Sequence, residues 1–92
     1  IVMNNKSWGA EKAYQKDFFG KRYLGADITS PSFDKVAELY GAKGFKVKKI
    51  SEISEAVRAA IKSNKPSVID VDVDPKALYS FRRDSFQHRI KK

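Results

Sequence analysis

Cysteine is absent from the 92 residues, which excludes disulfides and thiolate metal sites. Long apolar runs are absent too: nothing approaches the roughly 18 residues of a membrane-spanning helix. No signal peptide is recognisable, so a soluble, cytoplasmic protein is the default expectation. Histidine occurs once, as His88 near the end, with no visible partner, and it is expected to be exposed. No repeat, low-complexity segment or linker divides the chain, and its length suits one small unit with a modest core. Acidic charge is scarce, with 11 Asp and Glu against 19 Lys and Arg and a formal net charge of +8. Such a balance raises nucleic-acid binding, with Phe45, Tyr79 and Phe81 interleaved among basic residues. That reading predicts steeply salt-dependent binding. The chain opens on Ile1 rather than Met, which predicts a trimmed or processed chain or a piece of something longer. In a longer chain the charge would belong to a larger, balanced surface, and nucleic acid is then disfavoured as a partner.

The periodicities alternate between strand and helix. Ile1–Met3 reads as a strand, followed by Asn4 and Asn5. A first helix is predicted from Trp8 to about Phe18, with Ser7 as its cap and Ala10, Tyr14 and Phe18 on a core-facing side. Residues 20–30 lose the period and read as a long loop, a kind often found beside functional sites. Ser30-Pro31 reads as a cap and first helical position. Phe33, Val36, Ala37 and Tyr40 then form an apolar stripe ending at Gly41. Phe45 and Val47 alternate with Lys46 and Lys48, as on an edge strand with one wet face. A third helix is predicted from Ser51, with Glu52 and Glu55 at its start and Arg58 and Lys62 at its end, an order that complements the helix dipole. Ile53, Val57, Ala60 and Ile61 should face the sheet. Asn64, Lys65 and Pro66 break the helix, and Val68–Val73 forms the last strand. The order β-α-β-α-β predicts parallel strands.

The first nine residues carry the most chemical information. They place two side-chain amides at the carboxyl end of a strand, where ligands of open α/β sheets bind. Amide and backbone carbonyl oxygens are hard, neutral ligands that suit magnesium when phosphates supply the charge. The helix start beyond them offers free N–H groups. Together these features read as half of a metal–diphosphate site, although an Asn-Asn pair by itself equally makes a turn. Asp70, Asp72 and Asp74 repeat every second residue. Three carboxylates on one side could bind a divalent cation, but the alternation more simply predicts a solvated face or strand end, with Ile69, Val71 and Val73 inward.

The strand ending in Asn4-Asn5 resembles the close of the cofactor motif in the acetolactate-synthase-like, thiamine-diphosphate-dependent enzymes. Phe33 through Val47 resembles that family's helix, glycine turn and strand, and Ile53 through Val73 resembles its closing helix and Pro-initiated strand. Trp8-Gly9-Ala10-Glu11-Lys12 and Phe81-Arg82-Arg83-Asp84 look most like its sulfoacetaldehyde acetyltransferase branch. The resemblance implies a three-layer αβα fold with a mostly parallel sheet. It makes residues 1–74 the C-terminal portion of the thiamine-diphosphate domain and 75–92 a tail. It implies thiamine diphosphate and Mg2+ as cofactors, with the side-chain oxygen of Asn5 and the backbone carbonyl of Ser7 on the metal. Glu11 would handle protons near the substrate, or else be an ordinary first-turn glutamate favoured by the helix dipole. Arg82 and Arg83 would bind a phosphate or sulfonate, or simply make a surface contact to Asp84 or to another subunit.

On this resemblance the complete enzyme would convert sulfoacetaldehyde and phosphate to acetyl phosphate and sulfite. An acetolactate-synthase-like carboligase or decarboxylase is the alternative. The partners implied are the remainder of the same enzyme or a second subunit, in a homodimer or homotetramer, and a small-molecule substrate. The motif's Gly-Asp-Gly and the activating glutamate are expected upstream of Ile1. The isolated chain is therefore expected to be catalytically incompetent. A stand-alone subunit that completes its site with partner chains is the further possibility.

Overall fold

The computed structural model describes residues 1–80, so Arg82, Arg83 and His88 lie outside the described residues. The elements are β1 (Val2–Asn4), α1 (Gly9–Phe18), α2 (Phe33–Leu39), β2 (Lys43–Val47), a 3-10 turn (Ile50–Glu52), α3 (Ile53–Ser63) and β3 (Ser67–Asp72). The described residues form two compact units, residues 1–5 with 29–74, and residues 6–28 with 75–80.

The first unit holds a three-stranded sheet in the order β1-β3-β2. Both pairings are parallel, with Val2 opposite Asp70 and Phe45 opposite Ile69. The α/β class and the parallel arrangement expected from the alternating periodicities are therefore present, and β2 is an edge strand as its lysines suggested. The central strand β3 is covered on both faces. Ile69 and Val71 pack with Val47 and Ala56, joined by Phe45, Ile53, Val57 and Ala60 from β2 and α3. Successive side chains of a strand point to opposite faces. Asp70 accordingly faces the other way, where it meets the backbone of Phe33 at the start of α2. Sheet and helices make three layers.

Helix ends follow local chemistry, with corrections. Helix α2 starts two residues later than Ser30-Pro31 predicted, with Ser32 at the cap position and no side-chain capping bond of its own. Gly41 terminates it as expected. The Gly41 N–H donates to the Glu38 carbonyl at 3.0 Å and the Ala42 N–H to the Ala37 carbonyl at 2.9 Å. That pair of bonds, with Gly41 at φ +76°, is a Schellman closure. Helix α3 is not capped by Ser51. The 3-10 turn precedes it, and Glu52 Oε1 accepts the N–H groups of Lys49 at 2.8 Å and Lys48 at 3.2 Å. Its left-handed C-cap is Asn64, where the sequence broke.

The helix faces also shift from the predicted ones. Ala56 takes the core position assigned to Ile61, which is 75% exposed. At 100° per residue Ala56 and Ile61 flank the stripe of Ile53, Val57 and Ala60 on opposite edges, and it is the Ala56 edge that packs against the sheet. Tyr40 lies past the end of α2 and is exposed, while Ala37 is that stripe's buried member.

In the second unit, α1 begins at Gly9 with Trp8 at the cap position and no side-chain capping bond. The predicted cap, Ser7, donates its hydroxyl to Asp27 instead. The expected core face of Ala10, Tyr14 and Phe18 is only partly covered. Ala13 is the buried residue of α1, Ala10 and Phe18 are exposed, and the Tyr14 and Phe18 rings lie 6.0 Å apart. The irregular segment after α1 runs over residues 19–32, longer at both ends than the period loss suggested.

Candidate functional site

In the first unit, β1 ends on Asn4, and Asn5 follows it, half-buried. Two bonds, one to β3 and one to the residue just past it, anchor this strand end. The Val73 N–H donates to the Asn4 carbonyl at 3.1 Å, and the Asn4 side-chain amide donates to Asp70 Oδ2 at 3.4 Å. Parallel pairing therefore delivers the two amides to the carboxyl edge of the sheet, where the sequence placed them.

Asp70 is the chief correction to the sequence reading. It is no part of a solvated face: its side chain is 0% exposed. One oxygen, Oδ2, accepts the Phe33 N–H at 2.9 Å and the Ser32 hydroxyl at 3.4 Å. Lys46 Nζ stands 3.3 Å from the same oxygen and 2.6 Å from Asp72 Oδ1. Burial pushes the Asp70 carboxyl up, but the Phe33 N–H, the Asn4 amide and the Lys46 ammonium outweigh it and hold the group below the usual carboxylate range. Lys46 is held above the usual lysine range, chiefly by its bond to Asp72, with burial opposing and Asp70 adding to it. The wet-face lysine is thus the counter-ion of two carboxylates. Among the described residues no group of three His, Cys, Asp or Glu side chains is arranged to hold a metal.

The second unit carries Ser7 and Glu11. Ser7 pairs with Asp27 as an isolated antiparallel bridge, and its hydroxyl donates to Asp27 Oδ1 at 3.2 Å. Lys12 Nζ reaches the same oxygen at 2.5 Å. Lys12 first, then the Ser7 hydroxyl, hold the Asp27 carboxyl below its usual range. Glu11 is exposed in the first turn of α1. Asp27 was missed in the sequence because nothing local marks an aspartate in an aperiodic segment as the partner of a serine before the preceding helix.

At the end of β1 the side chains of Asn4 and Asn5 offer hard, neutral oxygens, which suit magnesium where a diphosphate supplies the negative charge. Ligands of open parallel α/β sheets bind outside the carboxyl ends of the strands, and that is where β1 closes on its two amides. Residues 1–71 match the family described as "Thiamine pyrophosphate enzyme, C-terminal TPP binding domain". The chain belongs to this family.

Curated relatives agree. Sulfoacetaldehyde acetyltransferase of Alcaligenes xylosoxydans xylosoxydans is 33% identical, and that of Castellaniella defragrans 32%, each over 99% of this chain. A probable acetolactate synthase large subunit of Methanococcus aeolicus is 32% identical over 86% of the chain and 13% of its own length. The chain spans only 16% of the length of the two acetyltransferases. It is similar to a small part of each of these larger enzymes.

Proposed function

We propose that this chain is the C-terminal part of the cofactor-binding domain of a sulfoacetaldehyde acetyltransferase, dependent on thiamine diphosphate and Mg2+. The observation that carries the proposal is the likeness to that enzyme over 99% of the chain, with β1 ending in Asn4-Asn5. Asn5 gives its side-chain oxygen and Ser7 its backbone carbonyl to the metal. Glu11 handles a proton near the reacting centre. Arg82 and Arg83, outside the described residues, bind the anionic substrate. The domain extends to about residue 74, in keeping with the family match over residues 1–71, and 75–92 is its tail. Thiamine diphosphate, when bound, supplies the carbanion stabilisation that acyl transfer needs. The complete enzyme is a cytoplasmic homodimer or homotetramer that converts sulfoacetaldehyde and hydrogen phosphate to acetyl phosphate and hydrogen sulfite, a balanced exchange.

The expected result for Asn5→Ala in a complete enzyme carrying this segment is a loss of magnesium affinity of about a hundredfold, since it removes one of few protein ligands. Thiamine diphosphate binding should weaken with it. Titration of Mg2+ into wild-type and variant apoenzyme at fixed thiamine diphosphate measures this, and equal affinities would remove Asn5 from the metal shell. The substrate is tested separately by measuring sulfite and acetyl phosphate. The likeness to acetolactate synthases favours a second reading, in which the same enzyme makes acetolactate and releases no sulfite.

A further inference from the structure

We infer that Asp27 is a positioning residue that holds Ser7 in place for the metal, an inference that rests on the reading of Ser7 as a ligand given above. Ser7 contributes to magnesium through its backbone, and magnesium demands near-ideal octahedral geometry at about 2.0–2.1 Å. A backbone carbonyl cannot adjust by rotating a side chain, so the segment that carries it must itself be held. The preceding residue makes that harder. Lys6 has φ 57°, in the left-handed region, although it is not a glycine. Residues in that region persist only where their surroundings over-determine them.

The surroundings here are a short stitch between residues 6–8 and 26–28. The Trp8 N–H donates to the Ala26 carbonyl at 2.6 Å, and the Ile28 N–H donates to the Lys6 carbonyl at 3.0 Å. Between these two bonds Ser7 and Asp27 face each other. The Asp27 carboxylate then adds a side-chain clasp, with its Oδ1 accepting from the Ser7 hydroxyl at 3.2 Å and from Lys12 at 2.5 Å. The Lys12 ammonium is steadied in turn by the Tyr23 ring, with 5.0 Å from its nitrogen to the ring centroid. Asp27 thus links Ser7 to α1 through Lys12, and residues 6–8 are gripped by both backbone and side chain.

The clasp is too exposed to be a stability device. Asp27 has a side-chain exposure of 71%, and ion pairs so open to water add little to folding. Its effect should therefore appear in metal affinity and hardly at all in the melting temperature. Partners that orient a ligand typically control about 10- to 100-fold of metal affinity. The lower end suits an exposed clasp whose two backbone bonds survive a side-chain change.

The experiment uses a complete enzyme carrying this segment, with Mg2+ titrated into apoenzyme at fixed thiamine diphosphate and the apoenzyme melting temperature recorded alongside. Asp27→Ala should raise the Mg2+ Kd about tenfold with little change in melting temperature. Asp27→Asn keeps an oxygen for the Ser7 hydroxyl and should recover most of the affinity. Ser7→Ala combined with Asp27→Ala should be no weaker than Asp27→Ala alone, because both remove the same clasp. Wild-type affinity in Asp27→Ala, while Asn5→Ala has lost it, would overturn the inference and leave the metal site standing. So would a fall in melting temperature that tracks the loss of affinity in both Asp27 variants, since that marks a structural role. Wild-type affinity in Asn5→Ala would overturn the reading of the site, and the role of Asp27 with it.

Discussion

Gly44→Ala is expected to undo the packing of α2 on β2, with a loss of about 3 kcal/mol, the upper end for forcing an extra carbon into a filled interior. The glycine owes its place to distance, since its backbone is an ordinary strand conformation. A β-carbon added at Gly44 would stand 2.7 Å from the carbonyl carbon and 2.9 Å from the Cα of Asp34, and closer still to the Asp34 oxygen. Those atoms are helix backbone and cannot swing aside as a long side chain would. Either α2 must rise off the strand or the strand must shift, and both would disturb the Phe33 end of the helix that Asp70 holds. Urea unfolding of the wild-type and variant chains measures the loss. A midpoint unchanged by the added methyl would show that α2 and β2 do not approach this closely.

The second large effect is expected from Asp70→Ala. Removing this carboxylate strands the Phe33 N–H at the head of α2 and takes one of two carboxylates from Lys46. Breaking a buried charge pair from one side costs roughly 3–5 kcal/mol. Lys46 keeps 27% exposure and its bond to Asp72, so about 3 kcal/mol is the better expectation here. The pH dependence follows from the directions of the two shifts. Asp70 is held below its usual range in the folded chain, so its stabilising contribution is complete above the ordinary carboxylate pKa of about 3.9 and is lost as pH falls through the lower, folded value. Lys46 is held above its usual range, so its contribution is complete below the ordinary lysine pKa of about 10.4 and is lost as pH rises through the folded value. These two groups contribute no pH dependence between those limits. In Asp70→Ala the acid limb should shrink relative to wild type, and an acid limb of unchanged size would exclude Asp70 as its source.

The strong local signals in the sequence reached the structure intact. Gly41 and Asn64 terminate helices because their backbones adopt the left-handed conformation cheaply, a property of the residue and not of the fold. The strand ending at Asn4-Asn5 was legible because an apolar run meeting two amides needs no partner to be recognised. Caps were read less well. Ser7, Ser30 and Ser51 were each plausible from their neighbours. The structure instead gives the first free N–H of α2 to Asp70, and the backbone before α3 to Glu52. A helix end takes the acceptor that folding brings within reach, and an acceptor from a distant strand leaves no local trace.

The amino-acid sequence by itself determined the alternation of strands and helices, the parallel sheet that follows from it, and the placing of Asn4 and Asn5 at a strand end. Those properties depend on periodicity and on residues within a few positions of one another. Tertiary structure alone decided the meaning of the charged residues. Asp70 and Lys46 have the same alternating pattern as a solvated strand face, yet pairing makes β3 the central strand and α2 closes over that side. Asp27 looks like any loop aspartate until residues 26–28 fold back beside residues 6–8. Burial and partnership are properties of pairs far apart in the chain, and no window of sequence contains them.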